Sequence, residues 1–200
     1  MNAALFDYGA GNLHSLGKGL EGAGIAVTVT SDWKVALGLD ALVLPGVGAF
    51  GAASRALAPA RDRVRDALAG GLPCLGICLG MQLLFDGSEE STGAGVGLLE
   101  GHVRRVRAKT VPQMGWNDVD VSRDPLFEGV TPLVAYYANS YVCEPVDTTT
   151  VIAWSEYEGI RFPAAVRAGH SWGVQFHPEK SSDAGRRVLA NWVRLAGGGK

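Results

Sequence analysis

Cys78 stands between two glycines in the segment LGICLGMQ, which spans residues 75–82. An apolar run leads into this segment and a helix-favouring run follows it. The pattern GxCxG has the form of the strand-turn-helix elbow of serine hydrolases, with sulfur in place of oxygen. A thiol at a helix N-terminus is favoured as thiolate. Cys78 is therefore a candidate nucleophile. The alternative is a buried structural thiol, an interpretation we give to Cys74 and Cys143.

A thiol nucleophile needs a general base and a group that orients the base. Among the four histidines, His177 lies in the most informative segment, GVQFHPEK, at the end of an apolar run. Residues two apart on a strand share a face, so His177 and Glu179 can point into one cleft, with Pro178 stiffening the link. We predict His177 as the base and Glu179 as its orienting carboxylate. The alternative is a strand-end histidine with a surface hydrogen bond.

Attack on a carbonyl also requires N–H groups aimed at the developing oxyanion. The residue after an elbow nucleophile supplies one such group, here Leu79. Another can come from the turn LVLPGVGAFG, where Gly46 and Gly48 free the backbone around Val47. The same turn contains the pattern GxGxxG, which is typical of dinucleotide-binding sites. Such sites also require an acidic residue about 20 positions further along the chain. Asp66 falls in a helical pattern instead, so the nucleotide interpretation is the weaker one.

The spacing of apolar residues predicts one α/β domain over residues 1–200. Its first half alternates strands with helices, which indicates parallel βαβ units. The predicted strands are 3–7, 25–30, 41–44 and 73–77, and the helices are 12–23 and a segment from near residue 54 to 69. The second half adds strands at 100–107, 118–121, 133–142, 151–156, 164–168 and 173–176, a helical turn at PLFEGV, and a helix at 183–195. We expect a mostly parallel central sheet flanked by helices, additional antiparallel strands, and a frayed tail at 196–200.

The composition narrows the function further. The net charge is −2, and basic and acidic residues are interspersed along the chain. The sequence therefore shows no basic cluster of the kind that binds nucleic acid or an anionic membrane. The longest uncharged apolar run, 70–85, is shorter than the roughly 20 residues of a membrane span, and the N-terminus lacks a signal-peptide pattern. The three cysteines lack both disulfide and metal-ligand spacing. We expect a soluble cytoplasmic protein with no metal site and no cofactor.

With LGICLGMQ, PGVG and FHPE in this order, the sequence resembles the class I (triad) glutamine amidotransferases over nearly its whole length. The resemblance implies the fold of that family and its reaction. Cys78 would attack the side-chain amide of glutamine, His177 would relay the proton, and Glu179 would hold His177. The Leu79 and Val47 amides would stabilise both tetrahedral oxyanions on the way to a glutamyl thioester and its hydrolysis.

The resemblance also implies contacts with the substrate glutamine. Gln82 and Glu90 match positions that hold its polar groups, and Gly46 belongs to the same binding site. The backbone at Ser140 and Tyr141 matches the segment that binds the α-carboxylate. The adjacent Glu89 is the alternative to Glu90.

Three further segments, DYGAGNLHSL, PQMGWN and HPEKSSDAG, resemble one branch of the family. In that branch the glutaminase forms a heterodimer with a (βα)8-barrel cyclase of histidine biosynthesis, which receives ammonia through an internal channel. By this resemblance the interface residues are Asn12, Met114, Trp116, Asn117, Tyr136 and Lys180. The alternatives are core aromatics for Trp116 and Tyr136, a helix cap for Asn12 and a solvated charge for Lys180.

Two positions depart from the pattern of that branch. Asn139 precedes Ser140 where relatives usually show HSY, and Gln113 stands in PQMGWN where PHMGWN is common. Any role of those histidine side chains is therefore open. Two other functions also stay open: an amidotransferase subunit for anthranilate, aminodeoxychorismate or guanylate synthesis, and a non-enzymatic binding domain on the same fold.

Overall fold

The central sheet of the protein changes from parallel to antiparallel at its middle. The structure, a computed structural model, describes residues 1–9 and 13–198. Its strands are β1 Asn2–Phe6, β2 Ala26–Thr30, β3 Ala41–Leu44, β4 Cys74–Ile77, β5 Gly87–Ser88, β6 Ser91–Ala94, β7 Gly101–Arg105, β8 Gln113–Val121, β9 Leu133–Asn139, β10 Tyr141–Pro145, β11 Val151–Tyr157, β12 Ile160–Ala168 and β13 Ser171–Val174. Nine of them form the central sheet in the order β2-β1-β3-β4-β13-β12-β11-β8-β9.

The parallel half of this sheet runs from β2 to β13, and the antiparallel half runs from β13 to β9. A second sheet has the order β10-β7-β5-β6. The helices are α1 His14–Gly22, α2 Trp33–Ala36, α3 Phe50–Leu57, α4 Arg61–Ala69, α5 Leu79–Gln82 and α6 Ser182–Gly197. The predicted single α/β domain with antiparallel strands in its second half is confirmed. None of the helices in the described ranges is long and apolar enough to cross a membrane.

Both faces of the parallel half are covered by helices. On β1, Ala3 and Leu5 join one hydrophobic cluster, which contains residues of α1 and α6, while Ala4 and Phe6 join another with residues of α2 and α4. Strands that are covered on both sides need apolar residues at successive positions rather than at alternate ones. The strands β3 and β4 are accordingly buried at every residue.

The strands predicted at 118–121, 164–168 and 173–176 begin earlier in the structure, at Gln113, Ile160 and Ser171. Three further differences change the course of the chain. The segment 133–142, predicted as one strand, divides at Ser140 because β9 pairs with β8 in the central sheet while β10 pairs with β7 in the second. The helix expected from near residue 54 to 69 begins at Phe50 and is interrupted by the 3-10 turn Ala58–Ala60, which contains a proline. The helix α6 extends to Gly197 and buries Ala196, where a frayed tail was expected.

Candidate active site

Three neighbouring parallel strands end beside one another at the site. Ile77 of β4 pairs with Val174 of β13, and Leu44 of β3 pairs with Gly76 of β4. Cys78 follows β4 directly, His177 comes shortly after β13, and Gly46 follows β3. A Cβ added to Gly46 would lie 3.0 Å from the Cys78 Cβ and 3.0 Å from the His177 Cε1. The structure therefore brings these three residues into contact at the carboxyl edge of the sheet, where ligands bind in α/β folds.

Cys78 occupies a strained turn between β4 and α5. Its φ of 47° and ψ of −103° are rare for a residue with a side chain. A Cβ on Gly76 would lie 2.5 Å from the Gly80 carbonyl oxygen, and a Cβ on Gly80 would collide with the Leu44 carbonyl of β3. Both glycines are required because the backbones of the strand, the turn and the helix approach one another directly. The Gln82 N–H closes the turn on the Cys78 carbonyl at 3.1 Å.

His177 is held between the thiol and a carboxylate. Its Nδ1 lies 2.8 Å from Glu179 Oε1, and its side chain is almost completely buried. Burial disfavours the charged ring, but interaction with the Cys78 thiol and with Glu179 raises the pKa of His177 from 6.5 to about 9. The ring therefore stays protonated near neutral pH and leaves Nε2 to face the sulfur.

The contact between His177 and Glu179 arises differently from the sequence prediction. The strand β13 ends at Val174, and Glu179 lies in the 3-10 turn Pro178–Lys180, so strand alternation is not the cause. Two backbone contacts fix this turn on β9, because the His177 N–H donates to the Tyr136 carbonyl at 2.8 Å and the Tyr136 N–H donates to Ser181 Oγ at 2.9 Å. Ser181 Oγ in turn donates to the His177 carbonyl at 2.6 Å.

The two residues predicted to form the oxyanion hole follow the ends of β3 and β4. Leu79 is the first residue of α5, and Val47 lies in the turn after β3, before Gly48 with its φ of 106°. Among the residues that the structure describes, neither amide donates to a backbone carbonyl outside a helix or strand ladder. Neither N–H group is therefore occupied by a bond of that kind.

A chain of buried amides extends from the sulfur towards the β9–β10 turn. Gln175 Nε2 lies 3.4 Å from Cys78 Sγ, and Gln175 Oε1 accepts from Gln82 Nε2 at 3.3 Å. Gln82 Nε2 and Asn139 Nδ2 both donate to the Tyr141 carbonyl, at 3.2 and 3.1 Å. Gln175 was absent from the sequence prediction, although it precedes His177 by two positions in GVQFHPEK.

Glu90 lies at the other side of the site, in the turn between β5 and β6. Its Oε2 accepts from the Phe50 N–H at 3.0 Å, at the first residue of α3. A carboxylate at this position is favoured by the helix dipole. Because α3 follows the turn that contains Val47, Glu90 links the β5–β6 hairpin to the predicted oxyanion turn. Neither short strand of this hairpin was predicted.

Cys74 and Cys143 are completely buried, and burial is the main cause that raises the pKa of each thiol. A buried thiol of raised pKa is a poor nucleophile. Their geometry therefore agrees with a structural interpretation for both. Within the described ranges, no group of three or more His, Cys, Asp and Glu side chains could hold a metal ion.

The residues proposed for a partner interface lie mainly on β8 and β9. The Met114 side chain is 67% exposed and Trp116 is 55% exposed, so the core interpretation of Trp116 is wrong. The Trp116 ring packs edge-on against half-buried Tyr136 at 6.1 Å, and Lys180 Nζ lies 5.8 Å from the centre of the Tyr136 ring. Asn117 Nδ2 donates to the Glu156 carbonyl at 2.9 Å. Asn12 lies outside the described residues.

Comparison with known proteins identifies relatives of this chain by sequence and structures that share its fold. The family model "Glutamine amidotransferase class-I" matches residues 4–195. The imidazole glycerol phosphate synthase subunit HisH of Corynebacterium glutamicum is 43% identical over 203 residues, covering 95% of this chain and 96% of its own. The HisH subunit of Thermus thermophilus is 48% identical over 193 residues, covering 95% and 96%. A crystal structure of a glutamine amidotransferase shares the fold, with a TM-score of 0.77 at 22% identity and 98% of each chain covered.

The chain belongs to the class I glutamine amidotransferase family, because the model of that family matches it over almost its full length. Within that family it groups with the HisH subunits of imidazole glycerol phosphate synthase, which match it at 42–48% identity over almost its full length.

Proposed function

We propose that this chain is the glutaminase subunit of an imidazole glycerol phosphate synthase. It hydrolyses glutamine to glutamate and ammonia and passes the ammonia to a (βα)8-barrel cyclase in histidine biosynthesis. The observation that carries the proposal is the contact of Cys78 with His177, which is itself bonded to Glu179 at 2.8 Å, in a chain similar to HisH subunits throughout.

In the proposed reaction, the Cys78 sulfur attacks the side-chain amide carbon of glutamine. His177 holds the thiol proton and transfers it to the nitrogen of the leaving ammonia, which leaves a glutamyl thioester. Water then attacks the thioester carbon, His177 takes its proton, and glutamate departs as the thiol is restored. Glu179 keeps the Nδ1–H of His177 bonded, so that Nε2 is the nitrogen that exchanges protons.

The Leu79 and Val47 amides would stabilise the tetrahedral oxyanion of each step. Gln82 uses its N–H groups for Tyr141 and Gln175, so its carbonyl oxygen remains to accept from an N–H group of glutamine. The carboxylate of Glu90 suits the α-ammonium group of the substrate.

The remaining substrate contacts come from the backbone. The amides around Ser140 and Tyr141, at the turn where β9 passes into β10, suit the α-carboxylate of glutamine. Gly46 supports the close approach of substrate to Cys78 and His177, because a side chain there would occupy the space between them.

The surface formed by Met114, Trp116, Asn117, Tyr136 and Lys180 is proposed as the docking site of the cyclase, and Asn12 is assigned to it by resemblance. Exposed aromatic and methionine side chains are frequent at the centres of protein interfaces. This surface contacts the segment that carries the base, because the His177 N–H donates to the Tyr136 carbonyl. Ammonia released at Cys78 would pass to the partner. The cyclase would join it to a phosphoribosyl-formimino aminoimidazole carboxamide nucleotide, giving imidazole glycerol phosphate and an aminoimidazole carboxamide nucleotide.

Replacement of the nucleophile tests this proposal. In the complex with the cyclase, we expect Cys78→Ala to lower glutamine-dependent synthesis by about four powers of ten or more, while synthesis from ammonium salts persists. Cys74→Ala is the matched control, because that thiol is buried at the start of β4, the strand that leads to Cys78, and it should retain glutamine-dependent synthesis. If Cys78→Ala still released glutamate at the wild-type rate, the proposed nucleophile would be wrong.

A further inference from the structure

Gln175 is a completely buried amide that contacts the sulfur and takes no part in the mechanism above. It lies directly after β13, two residues before His177. Its Nε2 is 3.4 Å from Cys78 Sγ and its Oε1 is 3.3 Å from Gln82 Nε2. Its own N–H is bonded to the Ala164 carbonyl of β12 at 2.8 Å, so the backbone that carries it is fixed by the sheet.

The direction of these hydrogen bonds follows from one backbone carbonyl. The Tyr141 oxygen can only accept, so the amide group of Gln82 that faces it must be the NH₂. The remaining N–H of Gln82 then points to Gln175, which must present its carbonyl oxygen. The NH₂ of Gln175 is left to face the sulfur. Cys78 therefore has an N–H donor beside it. The orientation of this donor is set by the Tyr141 carbonyl at the other end of the hydrogen-bond chain.

We propose that Gln175 is a positioning residue for the nucleophile, whose N–H stabilises the Cys78 thiolate and holds the sulfur in place for attack. The inference rests on the proposed function. A donor to an ionised acceptor in a buried site is worth more than one between neutral groups, while a neutral amide adds no charge to compete with His177. The same side chain orients Gln82, so one amide positions both the nucleophile and a predicted substrate contact.

The alkylation rate of Cys78 as a function of pH tests this inference without glutamine or the cyclase. Iodoacetamide is added to the full chain, and the modified peptide is quantified by mass spectrometry, with Cys78→Ala as the blank. We expect Gln175→Met, which is similar in volume and has no N–H donor, to move the midpoint of the alkylation profile upward by about one pH unit. In the complex with the cyclase, kcat for glutamine hydrolysis should fall about tenfold.

A control and a second variant separate this effect from a general disturbance of the sheet. Ser171→Ala removes a buried hydroxyl from the other end of β13 that lacks a hydrogen-bond partner among the described residues, and its alkylation profile should match the wild type. Gln175→Glu keeps an acceptor for Gln82 but presents an oxygen to the sulfur, so the midpoint should rise further. The other titratable groups that interact with Cys78, namely His177 and the Cys143 thiol, are the same in every variant.

An unshifted alkylation midpoint in folded Gln175→Met or Gln175→Glu would overturn the role of Gln175. If Gln175→Met failed to fold, Gln175→Glu would decide the matter, because it preserves the shape of the side chain. These outcomes are distinct from failure of the proposed function, which would appear as wild-type protein that releases no ammonia from glutamine in the presence of the cyclase.

Discussion

The parallel and antiparallel halves of the central sheet differ in how much of each strand is exposed. In the parallel half, β3, β4 and β13 are buried at every residue, and their carboxyl ends meet at one edge, where the segments carrying Gly46, Cys78 and His177 follow. In the antiparallel half, β8 and β9 keep exposed residues among buried ones and present Met114 and Trp116 to solvent. The parallel half therefore gathers side chains at a common edge, where ligands bind in α/β folds, and the antiparallel half leaves a face exposed, which is the proposed docking site of the cyclase.

The largest effect should come from closing the space at the elbow in the parallel half. In Gly80→Ala, the new Cβ would meet the Leu44 carbonyl on β3, which is backbone and cannot rotate away. We expect glutamine hydrolysis to fall at least about a hundredfold and the unfolding free energy to fall by about 3 kcal/mol or more. Steady-state kinetics and urea denaturation measure the two quantities.

The matched control is Gly22→Ala at the end of α1, where a Cβ would have nothing within 4 Å. It should keep full activity and gain up to about 1 kcal/mol of unfolding free energy, as expected for alanine in a helix. Wild-type rates in folded Gly80→Ala would show that close backbone approach at the elbow is not needed for activity.

A smaller effect should follow from truncation of the docking surface in the antiparallel half. We expect Trp116→Ala to weaken association with the cyclase about thirtyfold, as for an aromatic hot spot, because the ring is 55% exposed beside Tyr136. Its unfolding free energy should stay within about 0.5 kcal/mol of the wild type. Titration calorimetry with the cyclase gives the dissociation constant.

Val29→Ala provides the comparison for this variant, since Val29 is equally exposed but lies on β2, at the opposite edge of the sheet. It should bind the cyclase with wild-type affinity. If both substitutions weakened association with the cyclase equally, the docking surface would lie elsewhere. The proposed difference in function between the two halves of the sheet would then be wrong.

A third effect should be a pH dependence of stability where the two halves meet. The folded pKa of His177, about 9, lies above its ordinary 6.5, so its contribution to stability is complete below pH 6.5 and is lost as the pH rises through 9. We expect the unfolding free energy to fall across this window by at most about 1.4 kcal/mol per pH unit. Urea denaturation over a pH series measures the slope.

In Glu179→Gln, the slope should be smaller, because the substitution removes one of the two interactions that raise the pKa of His177. An identical slope in this variant would mean that Glu179 does not stabilise the charged ring. The structural contact would then have to be explained by packing alone.

Local sequence patterns predicted some elements of the fold and missed others. Strand β3 has the predicted bounds of 41–44, because a short apolar run closed by proline leaves little choice. The break at Ser140 had no local signal, since each side of it has strand-forming residues and only pairing with different sheets separates them. The β5–β6 hairpin also had no local signal, because strands of two and four residues with small side chains show no detectable alternation of apolar and polar residues.

The amino-acid sequence indicated a tight turn at Cys78, because glycines stand two positions before and after it, and it placed Glu179 two positions from His177. The 3-10 turn that joins His177 to Glu179 had no such local signal, because its bonds to β9 hold it in place. The pairing of β4 with β13 could be seen only in the folded chain, and it brings residues from distant parts of the sequence into contact. The tertiary structure also decided that Gln175 faces the sulfur and that Trp116 faces solvent. Strand order and sheet faces are set by the packing of the whole chain, and short-range patterns carry little information about them.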